Sequence, residues 1–137
     1  MVHALHEAHR ILKPNGILID LRPAAVHRRV SLLQGNTHLP LGVMREKFDD
    51  DRSADKAVAH VVSEKLFKAE GRTQFACSRV MDNLVEFQKW LDYSVKLGKL
   101  PSHDWLVRKV ERERQIVGGK TRIVVSGPLM LQVLKKR

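Results

Sequence analysis

One cysteine, few aromatic residues and no long apolar segment mark this sequence of 137 residues. Cys77 has no second cysteine to pair with, which excludes an internal disulfide and a cysteine-rich metal site and makes a reducing cytoplasm the expected compartment. No apolar run approaches the roughly 20 residues that a membrane span needs. The segment from Met1 to Glu7 lacks the basic flank and apolar centre of a secretory signal. These absences predict a cytoplasmic protein without a membrane contact.

Positive charge is what the chain has in excess. It carries 25 Lys and Arg against 15 Asp and Glu, a net charge of +10, which permits binding to nucleic acid, anionic surfaces or acidic substrates. Glu111 and Glu113 interrupt the C-terminal part of this charge, and a solvated basic face explains it more simply than a polyanion site. Aromatic residues make up only 5% of the chain, which argues against an extended base-stacking surface. The C-terminal excess lies at Arg108, Lys109, Arg112, Arg114, Lys120, Arg122, Lys135, Lys136 and Arg137.

The first 23 residues have the pattern of a helix followed by a buried strand. Pro14 helps to end the helix, and Asn15 and Gly16 tolerate the positive φ of a tight connection. The strand Ile17 to Leu21 is apolar on both faces, which is typical of a strand inside a parallel sheet covered by helices on each side. The apolar stripe predicted for the helix consists of Ala4, Leu5, Ala8, Ile11 and Leu12.

The middle of the chain continues the alternation of helices and strands. The pattern of residues 24–51 predicts a hairpin or an irregular insertion that ends in a polar loop at 49–51. Ser53 is predicted to cap a helix that ends at Gly71, and residues 73–82 are predicted to form a second strand.

Two helices and a final extended segment complete the pattern. Asn83 is predicted to cap the first of these helices, with Glu86 in the reciprocal capping position, and Ser102 is predicted to cap the second. Residues 121–135 are extended, with a bend, a bulge or a short hairpin at Gly127 and Pro128. This order predicts one α/β domain over residues 1–137.

The segment Arg10 to Gly16, RILKPNG, stands directly before the apolar strand. It resembles the segment before the fifth strand of class I S-adenosylmethionine-dependent methyltransferases, where an arginine, two aliphatic residues, a lysine, a proline and a glycine pair often occur. Asn15 replaces the first glycine, and asparagine also tolerates left-handed geometry. The resemblance implies a partial Rossmann-like sheet with flanking helices, whose strands correspond to the family's fifth, sixth and seventh, the last of them antiparallel.

The cofactor-binding features of that family have no counterpart here. In the family, the first strand ends in an acidic, glycine-rich turn that holds the methionine part of the cofactor, and an acidic residue after the second strand holds the ribose. Gly118 and Gly119 follow a helix rather than a strand, so they do not match that turn. The resemblance therefore implies a C-terminal methyltransferase subdomain that is inactive as an isolated chain and contains no cofactor-binding residue. S-adenosylmethionine is then expected only where a separate N-terminal half completes the site, and whether the chain is an enzyme stays open.

The strand Ile17 to Leu21 would have a neighbour on each side in a complete enzyme, and this chain supplies at most one. An uncovered apolar strand attracts another strand to its edge. We therefore expect a second copy of the chain, giving a dimer, or a separate N-terminal methyltransferase half at this edge. Two alternatives stay open: a basic module that binds nucleic acid or an acidic partner, and a truncated remnant without a catalytic role.

Asp20, Arg22 and His27 are the candidate residues on the acceptor side. They follow the strand that resembles the fifth strand of the family, where residues can face the methyl acceptor. A carboxylate, a guanidinium and an imidazole would orient an acceptor or remove its proton. The simpler explanation of the first two is that Asp20 and Arg22 end the strand in solvent or pair locally with each other.

No metal site is predicted. His3, His6 and His9 recur every three residues and so drift around the helix, and three consecutive aspartates at 49–51 cannot all face one ion. Cys77 is expected to be a buried small residue, and Trp90 and Trp105 are expected to pack in the core.

Overall fold

The computed structural model describes all residues from 1 to 137. It has four helices and one open, antiparallel sheet of five strands, so the predicted α/β class is confirmed. None of the helices combines the length and the apolar character that crossing a bilayer requires. The elements are α1 (Val2–Ile11), β1 (Ile17–Pro23), β2 (Arg29–Gln34), β3 (Thr37–Val43), α2 (Asp49–Ser63), β4 (Phe67–Met81), α3 (Leu84–Lys96), α4 (Asp104–Val117) and β5 (Arg122–Lys136).

The last strand, β5, organises the sheet. The strand order is β1-β5-β2-β3, and β4 also pairs with β5. Residues 129–135 of β5 pair antiparallel with β1, and residues 122–126 pair antiparallel with β2. β1 is thus an edge strand with a single antiparallel neighbour. Within this chain, the prediction that it lies inside a parallel sheet is wrong.

The break at Gly127 and Pro128 marks the point where β5 changes its neighbour from β2 to β1. β5 continues through this point as one strand, which excludes a short hairpin here. Proline cannot donate a backbone hydrogen bond, but the carbonyl of Pro128 accepts one from the backbone N–H of Ala24 at 3.0 Å. A Cβ at Gly127 would lie 2.5 Å from Cγ of Arg28, so only glycine permits this close approach.

Contacts between residues divide the chain into two compact units. The first unit comprises Met1–Ala25, Phe48–Phe75 and Pro128–Arg137. In it, α1 and α2 cover one face of the strands, and Lys136 Nζ donates to the carbonyls of His9 and Leu12 at 2.6 and 2.7 Å, which fixes the end of α1 to β5. The buried core of this unit consists of Leu5, Ala57, Val58, Val61, Phe67 and Leu134, with Val2, Leu12, Leu18, Val62 and Leu66 packed against it.

The second unit comprises Val26–Lys47 and Ala76–Gly127. It contains the hairpin of β2 and β3, which lies within the predicted insertion 24–51 and turns at Gly35 with a φ of 57°. Helices α3 and α4 enclose its core. That core consists of Val30, Leu32, Leu41, Met44, Met81, Phe87, Leu91, Leu100, Leu106, Val110, Ile123 and Val125.

Helix α2 differs from its prediction at both ends. It begins at Asp49 rather than after a cap at Ser53, so the three aspartates form its first turn instead of a polar loop. Negative charge in the first turn interacts favourably with the helix dipole, which explains the earlier start. The helix ends at Ser63, and Gly71 lies within β4, which begins at Phe67.

The other helices confirm some predicted details and correct others. Asn83 Oδ1 accepts a hydrogen bond from the backbone N–H of Glu86 at 2.9 Å, so the predicted cap of α3 is confirmed. The prediction for α4 is wrong, because its N-cap residue is His103 and not Ser102. In α1, Ile11 is 71% exposed although the predicted stripe includes it, because the helix directs Val2 and Leu5 to the core, where Leu12, just after its end, also packs.

Candidate functional site

The outer edge of β1 is the first feature of the candidate site. β1 pairs with β5 along one edge and with no strand along the other. On the face that α1 and α2 leave uncovered, Ile17, Ile19 and Leu21 are 59%, 61% and 54% exposed. Their cross-strand partners on β5 include Val133 and Leu131, which share the same face and are only partly buried. We call these five residues the open apolar face.

The opposite face of β1 carries Asp20 and Arg22, two of the predicted site residues. Arg22 Nε donates to Asp20 Oδ2 at 3.0 Å, and Arg22 Nη2 donates to Asp55 Oδ1 at 2.5 Å. Arg22 Nη1 also donates to the backbone carbonyl of Asp51 at 2.9 Å. The side chains of Arg22 and Asp20 are 12% and 11% exposed, so the pair is largely removed from water. The structure thus brings Asp20 and Arg22 together where β1 meets the start of α2.

The carboxylates of Asp55 and Asp20 stabilise the positive charge of Arg22. Burial by itself lowers the pKa of Arg22, but hydrogen bonds and charge interactions with Asp55 and Asp20 outweigh it and raise that pKa above its usual value. Of the five N–H donors of a guanidinium, three donate inside the protein, and two have no partner within the chain.

Asp55 is a member of this cluster that the sequence interpretation missed. The assignment of residues 49–51 to a loop placed the start of α2 too late. With the helix starting at Asp49, Asp51 and Asp55 lie four residues apart and therefore on the same side of α2. The four-residue spacing of Asp51 and Asp55 was the available signal. It places the two residues on one side of a helix only once the start of α2 is known.

His27, the third predicted residue, lies in the second unit. Its Nδ1 accepts a hydrogen bond from the backbone N–H of Glu46 at 3.0 Å. Glu46 in turn pairs with Arg28, whose Nε donates to Glu46 Oε1 at 2.9 Å. Arg28 also lies over the ring of Trp90, 5.0 Å from its centroid.

The structure also shows the surroundings of the other residues that the sequence analysis considered, His6, His9 and Cys77. His6 Nε2 lies 2.9 Å from Glu64 Oε2, and His9 packs edge-on against Phe67. No three side chains of the metal-binding types come together as ligands of one ion. Cys77 is exposed on β4, so its predicted burial is wrong. Long stretches of β4 expose both faces, which the alternation of its residues did not indicate.

The two tryptophans differ from each other. Trp90 is partly buried and packs against the core of the second unit, as predicted. Trp105 is 46% exposed, so its predicted place in the core is wrong. Its ring lies against β3, because a Cβ at Gly42 would be 3.3 Å from Trp105 Cη2.

Comparison with known proteins gives no relative for this chain. No protein family, no curated protein and no solved structure matches it.

Proposed function

We propose that this chain supplies the acceptor-side part of a class I methyltransferase-like sheet, and that further strands paired to the outer edge of β1 complete the site. The observation that carries this proposal is the arrangement around β5. β5 pairs antiparallel with β1 and also pairs with β4, and the other edge of β1 has no neighbour. An antiparallel last strand is what the resemblance of the RILKPNG segment implies.

The open apolar face supports a partner at that edge. An exposed edge strand presents unpaired N–H and C=O groups, and soluble proteins usually protect such edges with charge, proline or a covering element. β1 has Pro23 at its end and the charges of Asp20 and Arg22 on its covered face, but the side chains of its open face are aliphatic. Covering each of Ile17, Ile19 and Leu21 would stabilise the assembly by roughly 1 kcal/mol, since more than half of each residue is exposed.

The residues of this chain do not fit a cofactor site of their own. Its one glycine pair, Gly118 and Gly119, connects the end of α4 to β5 and does not open a helix after a strand. S-adenosylmethionine would therefore be held by the partner half, where it would supply the methyl group. The contribution of this chain is to position the acceptor.

Asp20 and Arg22 are the residues that we assign to the acceptor. Arg22 is fixed by three hydrogen bonds and retains two N–H donors, and Asp20 Oδ1 has no hydrogen-bond partner within the chain. A rigid donor beside a free acceptor orients a polar ligand without moving a side chain. His27 takes no part in this assignment, because it belongs to the second unit.

Co-expression with a separate N-terminal half of a class I methyltransferase, the part that precedes the fifth strand, tests the proposal. We expect the two polypeptides to purify together and to bind S-adenosylmethionine with a micromolar Kd in calorimetry, whereas this chain alone does not bind it. Ile19→Lys places a charge on the open apolar face and should abolish the association. Val43→Lys is the matched control, because Val43 is a similarly exposed aliphatic residue on the edge strand β3.

Three results would contradict the proposal. One is micromolar binding of S-adenosylmethionine by this chain alone. Another is an N-terminal half that does not associate with it. The third is a dimer of this chain alone, measured by light scattering, that Ile19→Lys dissociates and Val43→Lys does not. That last result would assign the edge of β1 to a second copy.

A further inference from the structure

Helix α4 carries a basic stripe that ends in an exposed aromatic ring. Trp105, Arg108, Lys109, Arg112 and Ile116 follow the spacing i, i+3, i+4, i+7 and i+11, and all five are exposed. At the angular step of an α-helix they occupy an arc of about 100°. We call these residues the α4 stripe.

The acidic residues of α4 lie on the flanks of this stripe and not within it. Asp104 and Glu111 fall on one flank of the arc, and Glu113 falls on the other, toward the buried side. In the linear sequence these acids dilute the basic run, but on the folded helix the stripe contains no acid. The stripe is therefore a face of one charge sign, which the sequence interpretation did not detect.

The three cations of the stripe have no partners within the protein. Arg108, Lys109 and Arg112 make no ion pair and no side-chain hydrogen bond, in contrast to Arg114, which donates to Thr121 Oγ1 at 3.1 Å. Arg108 and Arg112 are four residues apart and Lys109 and Arg112 three apart, so their charges repel each other along the helix, and the acids four residues from Arg108 and Lys109, Asp104 and Glu113, offset this only in part. The second unit around them has 14 Lys and Arg against 7 Asp and Glu. Such a field attracts polyanions.

Trp105 distinguishes this stripe from a merely solvated basic face. One part of its ring is held against Gly42, and nearly half of the residue remains accessible to solvent. A ring fixed in place beside cations offers a platform on which an unpaired base stacks while the cations contact phosphates. Trp105 and Arg112 are about 10 Å apart along the axis, which is within the reach of a few nucleotides.

We infer that the α4 stripe binds single-stranded nucleic acid. Arg108, Lys109 and Arg112 contact the phosphates, and Trp105 stacks on one base. The inference does not depend on the methyltransferase proposal, because it concerns a surface of the second unit and needs neither cofactor nor partner.

Fluorescence anisotropy with a labelled oligo-dT of about 12 nucleotides tests this inference. Three phosphate contacts predict a slope of roughly −2 for log K against log salt, which is about a 20-fold loss of affinity between 50 and 200 mM salt. The triple variant Arg108→Gln, Lys109→Gln, Arg112→Gln should lose nearly all binding and nearly all salt dependence. The matched control is Arg79→Gln, Lys89→Gln, Lys96→Gln, which removes three exposed charges from the same unit and should bind within about threefold of the original chain, because only the stripe makes specific contacts.

Trp105 is tested separately because stacking is independent of charge. Trp105→Ala should weaken binding roughly tenfold with the salt slope unchanged, and Trp105→Phe should retain most of the affinity. Far-UV circular dichroism and thermal unfolding identify a variant that fails to fold. If Trp105→Ala fails to fold, Trp105→Phe still keeps an aromatic ring packed against Gly42.

Several results would overturn the inference. No binding at 50 mM salt, or equal losses in the two triple variants, would exclude a specific role of the stripe. Undiminished binding by Trp105→Ala, or equal affinity for duplex DNA, would exclude stacking on a single strand. Binding of poly-glutamate as tight as that of the oligonucleotide would assign the stripe to an acidic protein.

Discussion

At the scale of single residues, Arg22 is the side chain whose environment the sequence predicted only in part. Asp20 and Arg22 are two positions apart in a strand, so their proximity on one face follows from strand geometry alone. The contact with Asp55 joins residues 33 positions apart and depends on how α2 packs over β1. Sequence reasoning reached the local pair, and it had no means to reach the partner across the fold.

Replacing Arg22 tests the importance of this cluster. Arg22→Ala leaves Asp20 largely buried without its counter-charge, so we expect the free energy of unfolding to fall by about 3 kcal/mol. Arg10→Ala is the control, because the pair of Arg10 with Glu7 is exposed and should change stability by less than about 0.5 kcal/mol. Urea unfolding measures both. Equal losses in the two variants would contradict a special role for Arg22.

The pH dependence of that loss follows from the raised pKa of Arg22. A cationic group with a raised pKa contributes its full stabilisation below its unfolded-state pKa and loses it only as the pH rises through the folded-state value. Both values for an arginine lie far above neutrality. The loss caused by Arg22→Ala should therefore be the same at about pH 6 and about pH 9, and a loss that disappears at the higher pH would contradict this assignment.

At the scale of elements, sequence reasoning succeeded where the signal is local. The cap of α3 was predictable because a side chain and a backbone group three residues apart make it. The start of α2 was not, because a run of three aspartates can solvate a loop as well as begin a helix. The length of β4 was not predictable either. Its pairing with β5 carries the strand through Gly71, a residue that locally favours a break.

Two substitutions compare Asn83, which was correctly predicted as a helix cap, with Ser102, which was not. Asn83→Ala removes the hydrogen bond to Glu86 and should destabilise the chain by about 1 kcal/mol. Ser102→Ala should change stability by only a few tenths of a kcal/mol, because Ser102 is exposed and lies outside the N-cap position of α4. Thermal or urea unfolding of both variants measures the difference. A larger effect at Ser102 than at Asn83 would contradict the observed helix boundaries.

At the scale of the whole molecule, the pairing of the strands was the least predictable feature. The apolar character of Ile17 to Leu21 suggested a strand inside a parallel sheet, for which this chain supplies at most one neighbour, and in the structure its one neighbour is the antiparallel β5. The last strand takes β1 and β2 as neighbours in succession, with the change at Gly127 and Pro128. The sequence marked this position as a break, but which strands meet there depends on contacts between distant residues, which local patterns do not encode.

The central claim is that the outer edge of β1 receives strands from another polypeptide, and amide hydrogen exchange tests it most directly. In the chain alone, the β1 amides that are not bonded to β5 should exchange rapidly, because no strand covers them. In the complex with a polypeptide that comprises the N-terminal methyltransferase half, the same amides should become protected, while those of the edge strand β3 remain unchanged. Unchanged exchange in β1 on adding that polypeptide, or full protection of β1 in the dilute chain alone, would contradict the claim.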